Sequence, residues 1–207
     1  MKNVSKHIDE LKQLFKRLSR DGKAPERAPL EPLDALVRGA MSFDVSDNRA
    51  EDAMKAIGKE FVDLNELRVA TDLEIHELLG VRYPEIEKRV AMITQCLNAI
   101  FEREQTMSLN RLKDVSKREA RQFLRELPDI HPFVEAYIML YAFDGSAFPL
   151  DDDMLEYLRE QDAVDPETNL HDAQKFVENH LKADEVYDAY IHLRKAAQAD
   201  GSKKKAK

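Results

Sequence analysis

Apolar residues recur every three or four positions along most of the chain, the spacing that places them on one face of an α-helix. The pattern is clear over 5–20 and 33–43 and continues in shorter segments to Val69. No stretch alternates apolar and polar residues as a half-buried strand would. The chain is therefore predicted to be all-α, with about ten helices.

Helix boundaries can be placed from local signals. Thr71–Glu74 and Ser116–Glu119 are capping boxes, in which each side chain accepts a backbone N–H from the other end of the box. Pro84 and Pro132 are predicted to open helices, because a proline in the first turn loses no helical hydrogen bond. Later helices are predicted at 151–161, 170–181 and 183–197.

The helix that starts at Pro132 is apolar on nearly all sides as far as Tyr141, so it is expected at the centre of a domain. A five-residue turn, Leu127–His131, precedes this helix, and three consecutive aspartates, Asp151–Asp153, follow it. The stretch from Ser116 to Asp153 therefore has the outline of a helix-hairpin-helix followed by an acidic helix start.

Charge is distributed unevenly along the 207 residues. The net formal charge is −8, but residues 1–27 carry about +4 and residues 201–207 about +4, which leaves about −16 for the rest. An acidic body repels a phosphate backbone, whereas two basic ends that fold near each other would form a basic face. The alternative is that these positive charges have no binding role and only keep the first helix and a disordered tail solvated.

The single cysteine, Cys96, excludes an internal disulfide and any metal site built from several cysteines. No apolar run reaches the length of a membrane span, so no membrane contact is expected. The histidines lack ligand-pair spacing and Asp151–Asp153 cannot all converge on one ion, so no metal site is predicted. Together these features lead us to expect a cytoplasmic protein.

Three passages resemble the endonuclease III branch of the helix-hairpin-helix DNA glycosylases. Leu36–Asn48 is similar to that family's apolar helix and the capped start of its next helix. Leu127–Pro132 lies where the family has its Leu-Pro-Gly-Val-Gly hairpin, and Leu150–Met154 lies where it has Val-Asp-Thr-His. The resemblance covers roughly 6–197, by order and spacing more than by identity.

The resemblance implies a fold of two helical lobes. Residues 33–143 would form a helical barrel that contains the helix-hairpin-helix, 116–143. The N-terminal helix and linker, 1–32, would pack with a C-terminal helical lobe, 144–200, and residues 201–207 would be a basic disordered tail.

The resemblance also implies site residues. Asp151 corresponds to the catalytic aspartate, although an aspartate at a helix start is also a common structural cap. The DNA-binding hairpin maps onto Pro128, Asp129, Ile130, His131 and Pro132, and the residue that enters the DNA stack maps onto Met41. Phosphate contacts are expected from the tail lysines, which are Lys203, Lys204, Lys205 and Lys207.

The chain departs from the family pattern at several of these positions. Asp129 and His131 replace the two hairpin glycines, and a carboxylate and a Cβ there oppose close approach of a phosphate. Pro132 lacks an N–H donor. Phe133 replaces the lysine nucleophile of the bifunctional members, which excludes that lyase step. The cysteines of the iron–sulfur cluster are absent, so no cofactor is expected.

Three hypotheses follow from these features. The first is an endonuclease III-like DNA-repair glycosylase homologue with weakened or lost catalysis, which acts as a binding module for DNA, weakly and in a salt-sensitive way, or for a protein partner. The alternative is an active monofunctional DNA N-glycosylase of base-excision repair, in which Asp151 activates water and no lyase step occurs. The third is an unrelated helical interaction protein.

Overall fold

The structure is a computed structural model that describes the backbone of residues 4–205 and the side chains of that range except Asp21 and residues 202–205. Within that range the chain forms eleven α-helices and no strand, so the all-α prediction is confirmed. The helices are α1 (Val4–Leu18), α2 (Pro32–Ser42), α3 (Asp47–Glu60), α4 (Leu64–Val69), α5 (Asp72–Leu79), α6 (Ile86–Glu104), α7 (Lys117–Arg125), α8 (Pro132–Ala142), α9 (Asp152–Glu160), α10 (Leu170–His180) and α11 (Val186–Lys205).

The described residues form two compact units. The central unit is Pro29–Asp144, and the terminal unit joins Met1–Ala28 to Gly145–Lys207. Each unit has its own buried apolar side chains, which burial removes from water at roughly 25 cal/mol per Å² of apolar surface. No helix of residues 4–205 is both long and apolar enough to cross a bilayer.

In the central unit, α8 is the core helix that its apolar sequence predicts. Every residue from Phe133 to Leu140 is buried, and α2 packs along it. Gly39 of α2 faces Tyr137 of α8, and a Cβ at Gly39 would lie 3.4 Å from the tyrosine side chain. The missing Cβ therefore lets the two helices approach closely.

The start of α6 corrects one prediction from the sequence. Pro84 was expected in the first turn of this helix, but α6 begins at Ile86 after Glu85, which has a φ of 47°. The buried guanidinium of Arg89 explains the difference. It donates to the carbonyl oxygens of Pro84, Ala40 and Phe43 at 2.6–2.7 Å, so the Pro84 carbonyl serves a side chain instead of a helical N–H.

In the terminal unit, α11 is the long helix against which α1 and α9 pack. Leu11 and Leu14 of α1 and Tyr190 and Leu193 of α11 are buried. The backbone of α11 continues through 201–205, so this part of the expected disordered tail is helical instead. Lysine is a good helix former, and positive charge near a helix C-terminus is stabilised by the helix dipole.

Candidate functional site

Asp151 lies at the N-cap of α9, as an aspartate before a helix usually does. One carboxylate oxygen accepts the backbone N–H of Met154 at 2.9 Å. The other lies 3.2 Å from a guanidinium nitrogen of Arg194 in α11. Both side chains are almost fully buried, with 3% of Asp151 and 6% of Arg194 exposed. The carboxylate is thus bound on both oxygens, by a cap and by an ion pair.

This environment limits the chemistry of Asp151. A carboxylate that activates water needs an oxygen within hydrogen-bond reach of that water. Both oxygens of Asp151 are engaged, and so little of the side chain is exposed that solvent hardly reaches it. The neighbouring Asp152 and Asp153 are exposed in the first turn of α9, where the helix dipole favours negative charge.

Arg194 was not singled out from the sequence, although a signal was present. It follows Tyr190 by four residues and Val186 by eight, so it shares the apolar stripe of α11 with two buried residues. A charged residue on a buried stripe needs a partner, because an unpaired buried charge is costly. Spacing along the chain does not identify that partner, which lies 43 residues away.

The turn between α7 and α8 is the tight corner that the sequence predicts for a hairpin. Asp129 has a φ of 48°, the left-handed conformation that a glycine adopts most easily, and its side chain is exposed. Pro128 is exposed, and its carbonyl oxygen accepts from the thiol of Cys96 at 3.3 Å. Pro132 begins α8 and is exposed, and Ile130 is half-buried.

His131 caps α8 with its own ring. Its Nδ1 accepts the backbone N–H of Phe133 at 3.2 Å, and its backbone N–H donates to the sulfur of Met92 at 3.3 Å. Pro132 carries no N–H. The corner therefore presents the exposed carboxylate of Asp129 where the family pattern has a glycine.

Phe133 and Met41 both lie in the core of the central unit. Phe133 has no exposed surface, and its ring centroid is 6.2 Å from that of Phe43. Met41 is also fully buried, and its carbonyl oxygen accepts the hydroxyl of Tyr83 at 2.6 Å. In this conformation Met41 offers no exposed side-chain surface with which to enter a DNA stack, because α6 and the loop before it cover the end of α2.

A buried carboxylate in α8 also escaped the sequence interpretation. Glu135 is 4% exposed and binds the guanidinium groups of Arg121 and Arg125 in α7. A glutamate inside an otherwise apolar helix was the available signal, because burial requires such a group to be paired. Two of the basic residues of α7 are thereby directed to the other arm of the hairpin.

Cys96 is the free cysteine of the described chain, and it is fully buried. Burial, with a smaller contribution from the nearby carboxylate of Asp129, raises the pKa of its thiol from 9.0 to about 12. No group of three or more histidine, cysteine or acidic side chains within residues 4–205 is arranged to hold a metal ion. The side chains of Lys203, Lys204, Lys205 and Lys207 lie outside the described residues.

Solved structures that this chain resembles in fold include DNA glycosylases. An 8-oxoguanine glycosylase/lyase of Clostridium acetobutylicum, crystallised with double-stranded DNA, matches with a TM-score of 0.72 and 17% identity over 97% of this chain and 71% of that one. Endonuclease III in a trapped covalent intermediate with DNA matches with a TM-score of 0.71 and 11% identity over 90% of this chain and 84% of that one.

A third structure, the H. pylori 3-methyladenine DNA glycosylase bound to 1,N6-ethenoadenine, has a TM-score of 0.65 and 14% identity, and the match covers 96% of this chain and 98% of that one. No protein-family model matches the sequence, and no curated protein matches it by sequence. At such low identities the likeness establishes the fold, which is that of the helix-hairpin-helix DNA glycosylases.

Proposed function

We propose that this chain is a glycosylase-fold protein that associates with DNA but releases no base. The observation that carries the proposal is the state of Asp151, whose two oxygens are taken by the Met154 amide and the buried Arg194 guanidinium. A fold alone does not carry an activity, because the chemistry depends on the residues of the site. Here those residues serve the packing of α9 against α11.

The hairpin and the core helix support the same proposal. Phe133 has no atom that attacks a sugar, and it is fully buried. Asp129 places a negative charge on the corner that would otherwise approach a phosphate. Each of these features weakens a different step, namely attack on the sugar and binding of the DNA backbone.

The first test measures base release. The full chain, in excess over substrate, is incubated with duplexes that carry 8-oxoguanine, 1,N6-ethenoadenine or a mismatched thymine, and abasic sites are then cleaved with alkali. We expect no release above that of Asp151→Asn for any duplex. Release by the wild-type chain that is lost in an Asp151→Asn variant shown to be folded by circular dichroism would favour the active monofunctional glycosylase, in which Asp151 activates water.

Association with DNA is assigned to the lysine tail. The solved structures of the same fold that contain DNA motivate this part, and residues 201–207 bring four lysines. Electrostatic binding of this kind is weak and depends on salt, because each phosphate contact releases counterions. Each contact adds about 0.9 to the slope of log K against log salt, so four lysines contribute up to about 3.6.

The second test compares two charge-matched variants. One replaces the tail lysines Lys203, Lys204, Lys205 and Lys207 by glutamine, and the other replaces four exposed lysines elsewhere, which are Lys55, Lys59, Lys175 and Lys195. DNA affinity is measured by fluorescence anisotropy over a salt series. We expect the tail variant to lose most of the salt slope and the control to lose less than about one unit. Equal loss in both variants would contradict a specific role for the tail.

A further inference from the structure

The basic residues near the end of α1 belong to the same compact unit as the basic end of the chain. Residues 16–23 hold four basic residues against one aspartate, a net formal charge of +3, and residues 201–207 carry +4. The rest of the chain carries −15, so on balance it repels a polyanion. In α7, which is also rich in basic residues, Arg121 and Arg125 are paired with the buried Glu135. The proposed function uses only residues 201–207.

Two contacts hold the segment after α1 against α11. Nε2 of His192 lies 2.9 Å from the carbonyl oxygen of Gly22. The guanidinium of Arg27 lies 5.8 Å from the centroid of the Tyr187 ring. From His192, α11 continues to Lys205, a distance of about 20 Å at the rise of an α-helix. The basic end of α1 therefore lies beside the helix that leads to the lysine tail.

The apolar and basic residues of α1 lie on different sides of the helix. Leu11, Leu14 and Leu18 are buried. Arg17 and Arg20 are exposed, and Lys23 is exposed in the segment that follows. A helix that binds a lipid surface inserts its apolar side, and the apolar stripe of α1 is already buried in the terminal unit. The exposed side offers charge instead, which suits a hydrated anion.

The groove between α1 and the start of α11 does not share this surplus. It has a volume of about 610 Å³, and three lysines and three carboxylates line it, namely Lys12, Lys16, Lys182, Asp184, Glu185 and Asp188. Opposite charges are balanced there, so the groove favours neither an anion nor a cation. Arg17, Arg20 and Lys23 lie outside this lining, on the part of the segment where positive charge is in excess.

The contacts around Arg17 leave its charge in place. Its guanidinium donates to the amide oxygen of Gln161, which is a neutral acceptor. The carboxylate of the next residue, Asp162, pairs with Nζ of Lys6 at 3.2 Å. A guanidinium binds a phosphate through parallel N–H donors, and a lysine binds it as a point charge. Arg17, Arg20 and Lys23 thus have the chemistry of phosphate contacts.

We propose that Arg17, Arg20 and Lys23 bind the phosphate backbone of DNA together with the lysine tail, as one basic surface of the terminal unit. The inference rests on the proposed function and deepens it, because α1 adds phosphate contacts to those of the tail. Contacts to phosphate carry no sequence information, so this surface binds DNA without regard to sequence. Three contacts contribute up to about 2.7 to the slope of log K against log salt.

The test compares the salt dependence of DNA binding among variants of the full chain. The α1 variant replaces Arg17, Arg20 and Lys23 by glutamine, and its control replaces three exposed lysines elsewhere, which are Lys55, Lys59 and Lys175. The labelled duplex has about 12 base pairs, which at 3.4 Å each exceeds the 20 Å between α1 and the tail. Far-UV circular dichroism confirms that each variant is folded.

We expect the α1 variant to lose at least about 1.8 units of slope, the equivalent of two phosphate contacts, and its control to lose less than about one. A variant that combines the α1 and tail substitutions should lose the sum of the two separate losses. Amide NMR shifts on addition of the duplex should be largest in residues 16–23 and in α11 beyond His192, and a duplex of another sequence should give the same pattern.

The outcomes separate this inference from the proposed function. If the α1 variant matches its control while the tail variant loses its slope, the α1 surface is wrong and the tail assignment stands. If the tail variant matches its control while the α1 variant loses slope, the α1 contacts are supported and the tail assignment fails. A wild-type chain without salt-dependent DNA binding contradicts both. Phosphatidylserine vesicles that shift residues 16–23 more than DNA does at equal salt would assign the surface to a membrane and overturn the inference.

Discussion

Two aspartates at helix boundaries show how far a residue's surroundings decide its role. Asp151 is 3% exposed and paired with Arg194, so its charge stabilises the packing of α9 against α11. Asp129 is exposed in a left-handed turn, so its charge faces solvent. The sequence identifies both as turn or cap residues, but it does not show which of them is buried.

The thiol of Cys96 is predicted to react slowly in the folded chain. Because burial, with a contribution from Asp129, raises the pKa of its thiol to about 12, the thiol is protonated at neutral pH and is a poor nucleophile. We expect the folded chain to resist alkylation by iodoacetamide, and the chain in denaturant to react fully. Mass spectrometry of the alkylated protein measures both states.

A matched variant separates the two causes of this low reactivity. Asp129→Asn removes the smaller contribution, so the pKa of the thiol should fall while burial keeps the thiol protonated and slow to react. Rapid alkylation of the folded wild-type chain would contradict the buried position of Cys96 against the hairpin.

At the level of elements, the local signals that predict helix starts agree with the structure where both partners lie within one turn. Thr71–Glu74 and Ser116–Glu119 form reciprocal capping boxes at α5 and α7, and Pro132 opens α8. Pro84 does not open α6, because its carbonyl oxygen accepts a hydrogen bond from the Arg89 guanidinium. The same guanidinium also donates to carbonyl oxygens at the end of α2. Contacts between elements therefore override the local preference of a proline.

The capping box of α7 predicts a pH dependence. Hydrogen bonds from the hydroxyl and N–H of Ser116 lower the pKa of Glu119 below 4.5. A lowered pKa in the folded state adds stability above the unfolded pKa, and this stability is lost as the pH falls through the folded value. Glu119→Gln keeps the capping geometry without titrating, so its melting temperature should fall less between neutral pH and pH below 4.5.

The control for this prediction is Glu77→Gln, which removes an exposed carboxylate of α5 that belongs to neither capping box. Its melting temperature should follow that of the wild-type chain at every pH. If Glu119→Gln also follows the wild type throughout, the carboxylate of Glu119 does not stabilise α7 in solution.

At the scale of the whole molecule, helix order and spacing were enough to predict the fold, which the chain shares with DNA glycosylases of 11–17% identity. The order of helices survives such divergence because each amphipathic helix must bury its apolar face, whatever residues form it. The site could not be predicted in the same way. The pairing of Asp151 with Arg194 and of Glu135 with two arginines joins residues on different helices.

The burial of these residues across the whole molecule bears on the proposal that the chain has the fold without base release. In the part of the chain that the structure describes, Asp151 supports packing, Phe133 fills the core and Met41 is covered. Buried side chains of this kind stabilise the scaffold. These observations support the proposal of a fold without base release.

The claim that Asp151 serves structure is tested most directly by a double-mutant cycle with Arg194, measured as the free energy of unfolding in urea. Asp151→Asn keeps the helix cap but removes the carboxylate charge that faces Arg194, and Arg194→Met removes the guanidinium that faces Asp151. We predict that each single change costs about 3–5 kcal/mol and that the double variant costs at least about 1.5 kcal/mol less than their sum. Additive costs, or an Asp151→Asn variant as stable as the wild-type chain, would contradict a structural ion pair.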